Sequence, residues 1–69
     1  MLTDQQARLI DDALRRSRFD EDERQETFCL ILRALAQGTM IDDLVRYARV
    51  TARHVRMSAR RMAAFRHTN

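Results

Sequence analysis

Residues 20–28 read DEDERQETF, an acidic start that runs through a polar QET step onto an aromatic residue. Asp20 is an N-cap residue, Glu23 three positions later completes a capping box, and Phe19 ahead of the cap is placed to staple onto the first turn. A helix therefore opens at Glu21. It continues to about residue 37, because Gly38 follows and glycine takes the left-handed conformation that a helix C-terminus needs. Its apolar positions Phe28, Ile31, Leu32 and Leu35 form a stripe, and Cys29, Leu30 and Ala34 widen it until most of the second half reads as buried. The first half, Glu21 to Glu26, is polar and must face solvent or a partner.

Upstream, Thr3 and Gln6 form a second capping box, and Ala7, Ile10, Ala13 and Leu14 repeat at helical spacing with Leu9 beside them, predicting a helix over about 4–18. Arg15, Arg16 and Arg18 fall in its last turn, where cations complement the helix dipole. Downstream, Thr39 with Asp42 as capping partner predicts a third helix over about 40–65. Its apolar stripe runs Ile41, Leu44, Val45, Ala48, Ala52 and Val55, then Ala59 and Met62. Proline is absent and Gly38 is the only glycine. The expected fold is all-α, a small three-helix bundle in one domain of 69 residues with a long, arginine-rich C-terminal helix.

Beside the apolar stripe of the third helix runs a second one. Arg46, Arg49, Arg53, Arg56 and Arg60 step by three and four, and at about 100° per residue they occupy a sector of roughly 80°. A helix-turn-helix competes for the same residues, with Arg49 to Thr51 as the turn and Ala52 to Met62 as the recognition helix. That turn lacks a glycine or small residue, and both stripes keep their phase across it. One continuous helix is favoured.

All thirteen basic residues are arginines. Residues 1–45 hold six of them against all ten acids, net −4; residues 46–69 hold seven and no acid, net +7. Such a dipole suits two different partners, and the basic half suits a polyanion such as nucleic acid. Arginine on one face without acids repels itself until phosphate or a partner's carboxylates neutralise it.

Two motifs resemble region 2 of the bacterial sigma-70 family, particularly its extracytoplasmic-function members. The family's E-D-x-x-Q-E-T-F helix start is matched by Glu21, Asp22, Gln25, Glu26, Thr27 and Phe28. Its L-x-R-x-A-R-x-x-A run with a following arginine cluster is matched by Leu44, Arg46, Ala48, Arg49 and Ala52, then Arg60 and Arg61. The resemblance implies that Glu21, Asp22, Gln25 and Glu26 face the clamp helices of RNA polymerase core, with Phe28 as internal anchor. It also implies that the arginines of the third helix, Arg61 included, face promoter DNA. The chain departs from the family at Glu23 and Arg24, where apolar residues are usual. It also departs over Ala36 to Met40, which lacks base-capturing aromatics, and at Asp43, where tryptophan is common. With no region 4 following, the expectation is a stand-alone, cytoplasmic, bacterial transcription regulator that touches polymerase.

Two other functions stay open: a dimeric helix-turn-helix DNA-binding protein, and a protein-interaction module without nucleic acid. Tyr47, Val50 and Met57, apolar but off the main stripe, leave a homodimer open under each. Enzyme chemistry is not expected. Cys29, the only cysteine, has no His or second Cys near it and reads as a core or flanking thiol of a reducing compartment; His54 and His67 lack a paired carboxylate or cysteine and read as surface residues. No metal site or cofactor is expected, a single glycine rules out a phosphate-cradling loop, and no apolar run suggests a membrane segment.

Overall fold

A computed structural model of the chain describes the backbone of residues 2–67 and the side chains of residues 2–62. Met1 and the side chain of His67 lie outside the described residues. The described residues form three helices, α1 (Asp4–Arg16), α2 (Glu21–Ala36) and α3 (Leu44–His67). The all-α expectation is met, and α3 packs against both α1 and α2.

Both predicted capping boxes form. In α1 the Gln6 N–H donates to Thr3 Oγ1 (3.1 Å) and the Thr3 N–H to Gln6 Oε1 (2.9 Å). In α2 the Glu23 N–H donates to Asp20 Oδ1 (2.8 Å) and the Asp20 N–H to Glu23 Oε1 (2.9 Å). Both helices also end alike. After α2, Gly38 stands at φ 85 while the Gly38 and Thr39 N–H groups donate to the carbonyls of Leu35 (3.1 Å) and Ala34 (3.0 Å), a Schellman pattern. After α1 the same pattern is built on Arg18, at φ 62, with the Arg18 and Phe19 N–H groups donating to Arg15 (3.0 Å) and Leu14 (3.1 Å). A side chain in that region costs about 1–2 kcal/mol. The turn compensates by dropping Phe19 into the core cluster that holds Leu14.

The start of α3 differs from the expectation. It opens at Leu44 rather than Met40, with Asp43 as its cap: the Arg46 N–H donates to Asp43 Oδ1 (3.1 Å) and the Tyr47 N–H to the Asp43 carbonyl (3.0 Å). Asp outranks Thr as a cap, so Asp43 displaces the Thr39 and Asp42 pair. The released segment leaves Met40 90% exposed and lets Ile41 reach the core. From Leu44 the helix runs unbroken across Arg49 to Thr51, so the helix-turn-helix turn does not form there.

The core gathers Ile10 and Leu14 of α1, Phe19, Ile31 of α2, and Ala48 and Ala52 of α3. The two alanines, fully buried, let the α3 backbone approach its neighbours closely. Several readings of burial need correction. Leu9 is exposed, and so are Cys29 and Leu32 of α2, because α3 covers α2 from one side only. On α3 the apolar stripe is buried at Ala48, Ala52 and Val55, but Ala59 and Met62 are exposed. A helix of this length spans about 36 Å at 1.5 Å per residue, more than the shorter α1 and α2 can cover, and the molecule is elongated at 43 × 27 × 15 Å. Tyr47, expected on the surface, is half-buried against the core.

Candidate partner-binding faces

The motif at the start of α2 divides cleanly between outside and inside. Glu21, Asp22, Gln25 and Glu26 are all exposed, whereas Thr27 is fully buried and Phe28 is half-buried against the core. Thr27 keeps its hydroxyl satisfied by donating Oγ1 to the Glu23 carbonyl (2.7 Å), one turn back. Helical period explains the split: at about 100° per residue the four polar positions fall in a sector of roughly 140°, with Thr27 and Phe28 outside it.

Glu23 and Arg24 point to the inner side, where they hold the helices together. Arg24 Nε lies 3.3 Å from Asp11 Oδ1 of α1, and its Nη1 donates to the Phe19 carbonyl (2.7 Å). Asp11 also pairs with Arg15 one turn along α1 (2.9 Å). Glu23 receives Arg56 of α3 through two bonds, Nε to Oε2 (2.8 Å) and Nη2 to Oε1 (3.0 Å). Arg56 Nη2 also donates to the Arg18 carbonyl (2.9 Å), and the guanidinium stacks 4.3 Å from the Phe19 ring centroid. Its bonds hold the Glu23 carboxyl down from an ordinary 4.5 to about 2; partial burial opposes this, and the Asp20 N–H and the charges of Arg56 and Arg60 assist it. The same carboxylate raises the Arg56 guanidinium further above its ordinary value.

This arrangement changes the composition of the arginine stripe. Arg46, Arg49, Arg53, Arg60 and Arg61 are exposed, and none pairs with a carboxylate among the described residues. Arg56 is the one member turned inward and bound within the fold. Periodicity alone does not reveal this, because Arg56 shares the angular sector of its neighbours; its contact is with a residue on another helix. An open cleft beside the Arg56–Glu23 pair is lined by Arg18, Asp20, Glu23, Arg56, Ala59 and Arg60.

A feature that sequence reading missed lies on the C-terminal half of α2. Cys29, Leu32 and Ala36 are exposed on the same face as the acids, with Leu32 at 47%. On α3, Val50 (48%) and Met57 (55%) are exposed between the arginines. The faces that point outward are thus one on α2, acidic in its first half and apolar with Arg33 at its edge in its second, and an arginine face with an apolar seam on α3. No described helix is long and apolar enough to cross a membrane.

Comparison with protein-family models, curated proteins and solved structures gives no match, so the account of these faces rests on their own residues.

Proposed function

We propose that the protein is a small transcription regulator of the sigma region 2 type, docking on the clamp helices of RNA polymerase core through Glu21, Asp22, Gln25 and Glu26. The observation that carries this reading is the division of the E-D-x-x-Q-E-T-F motif: its four polar positions are outward on a capped helix end, and Thr27 and Phe28 are inward. A preorganised acidic face steers association with a basic protein surface. The departures at Glu23 and Arg24 fit as well. Both stand on the inner side, where ion pairs to α3 and α1 take the part that apolar packing plays in the family.

DNA is the proposed second partner, held at its phosphates by Arg46, Arg49, Arg53, Arg60 and Arg61. Strand opening is not included. The connection between α2 and α3 has no aromatic side chain to stack on a flipped base, and Asp43 is occupied as the α3 cap.

The test is binding of the full chain to purified core polymerase. Asp22→Arg and Glu26→Arg are expected to weaken the complex at least about tenfold, while Asp4→Arg, an equal change of charge on α1, leaves it intact. Unchanged binding by both α2 variants refutes the polymerase reading. Absence of nucleic-acid binding at low salt assigns the arginines to an acidic protein partner instead.

A further inference from the structure

We propose that the outward face of α2 in one copy docks antiparallel on the arginine face of α3 in a second copy, so that the chain self-associates through complementary charge and a shared apolar seam. The two faces are opposite in charge and match in length.

The α2 face holds Glu21, Asp22, Gln25 and Glu26 in its first half and exposed Cys29, Leu32, Arg33 and Ala36 in its second. All eight lie within a sector of about 140°, with Arg33 near its edge. The α3 face spans a sector of about 120°, with Arg46, Arg53 and Arg60 spaced by seven residues and Val50 and Met57 spaced likewise between them. From Glu21 to Ala36 is about 22 Å along the axis, and from Arg46 to Arg60 about 21 Å.

With Ala36 set opposite Arg46, antiparallel alignment puts Glu21 and Asp22 against Arg60 and Arg61, Glu26 within a turn of Arg53, and Leu32 against Val50, while Arg33 at the rim of the α2 face approaches Arg49 and is the one like-charge contact. Pairing of α3 on α3 brings arginine onto arginine, and parallel pairing of α2 on α2 brings acid onto acid. Within one molecule the two faces cannot meet, since each points away from the core that the helices share. The α3 end beyond Val55 emerges from its own bundle, with Ala59 and Met62 exposed, and is therefore open to a second copy. A two-fold axis would use the contact twice; without one, copies add head to tail.

This inference does not rest on the polymerase reading, but it engages the same acids. A self-associated copy has Asp22 and Glu26 covered, so association and polymerase docking compete.

Sedimentation velocity of the full chain tests it. At about 50 mM salt the mean mass is expected to rise with protein concentration, and at about 500 mM salt, where charges are screened over a few ångströms, the association constant falls at least about tenfold. Asp22→Arg keeps the α3 face and Arg53→Glu keeps the α2 face. Each alone is expected to remain a monomer, whereas an equimolar mixture associates through the one intact pair of faces. Helicity is followed alongside, and Glu26→Arg replaces Asp22→Arg should the latter unfold. A wild-type chain that stays monomeric at low salt, or folded variants whose mixture fails to associate, overturns the proposal. Failure here leaves polymerase binding by the wild-type chain untouched, so the two readings fail separately.

Discussion

Arg56 of α3 reaches Glu23 of α2 across 33 residues of sequence and makes two hydrogen bonds to its carboxylate, at 2.8 and 3.0 Å. Glu23 is at the same time the reciprocal partner of Asp20 in the α2 capping box. One carboxylate thus fixes where α2 begins and where α3 lies over it. The guanidinium adds the α1–α2 turn, through the Arg18 carbonyl and the Phe19 ring. The acidic face proposed for partner binding starts immediately beside this junction.

The ion pair sets a pH window. The Glu23 carboxyl is held by Arg56 at about 2 against an ordinary 4.5, so its folded value is depressed. A depressed carboxylate contributes stability that is fully present above the unfolded value and is lost as pH falls through the folded one. Wild-type thermal stability should therefore decline from about pH 5 toward pH 2, and Glu23→Gln should flatten that decline while starting from a lower Tm at neutral pH. Equal acid sensitivity of the two chains in thermal melts would show that other carboxylates set the window.

Arg18 is strained where glycine is not. At φ 62 it occupies the position that Gly38 fills at the end of α2. Its side chain is exposed, and the contact it makes to Arg56 is through its carbonyl. Arg18→Gly should stabilise the chain by about 1 kcal/mol, the relief of left-handed strain less the extra freedom of glycine in the unfolded chain. Chemical denaturation with an unchanged m-value reads this directly. A loss of stability would mean that the Arg18 side chain holds the turn.

The apolar stripe of α3 has a sharp functional end. Val55 is buried, whereas Met62, two turns on and in the same stripe, is exposed. Val55→Glu should unfold the chain, since an unpaired charge is forced into a core that supplies only about 3–5 kcal/mol in all. Met62→Glu should stay within about 0.5 kcal/mol of wild type. Equal damage from both would place Met62 against something, a second copy above all, and the concentration dependence of Tm separates that case.

Close packing at the alanines gives a second stability test. Ala52 is fully buried where α3 crosses its neighbours. Ala52→Leu should cost about 1–3 kcal/mol by overpacking, seen in denaturant midpoints. Exposed Ala59→Leu, seven residues along the same face, should cost little.

On the proposed reading, the arginines of α3 differ in their salt signature. Arg53→Ala should lower the slope of log affinity against log salt for duplex DNA by about 0.9, the counterion released at one phosphate. Arg56→Met, which removes a cation already neutralised by Glu23, should leave that slope unchanged once the folded fraction is accounted for. An equal drop from both, read by fluorescence anisotropy across a salt series, would mean that Arg56 leaves Glu23 for phosphate.

Local signals in the chain carried much of this structure. The two capping boxes, the stop at Gly38, the helical period through Ala48, Ala52 and Val55, and the exposure of Glu21, Asp22, Gln25 and Glu26 all follow from residues within a turn or two of one another. Such features depend on hydrogen bonds and side-chain spacing inside a single helix, so they can be read without knowing what lies alongside. What the tertiary structure alone decided is which arginine is bound and which apolar residue is bare. Arg56 looks like Arg53 or Arg60 until α2 brings Glu23 within 3 Å of it. Leu32 looks like Ile31 until α3 is seen to cover α2 from one side only. Both are facts about contact between distant segments, and periodicity within one helix fixes a residue's angle on its own axis but not the neighbour that angle meets.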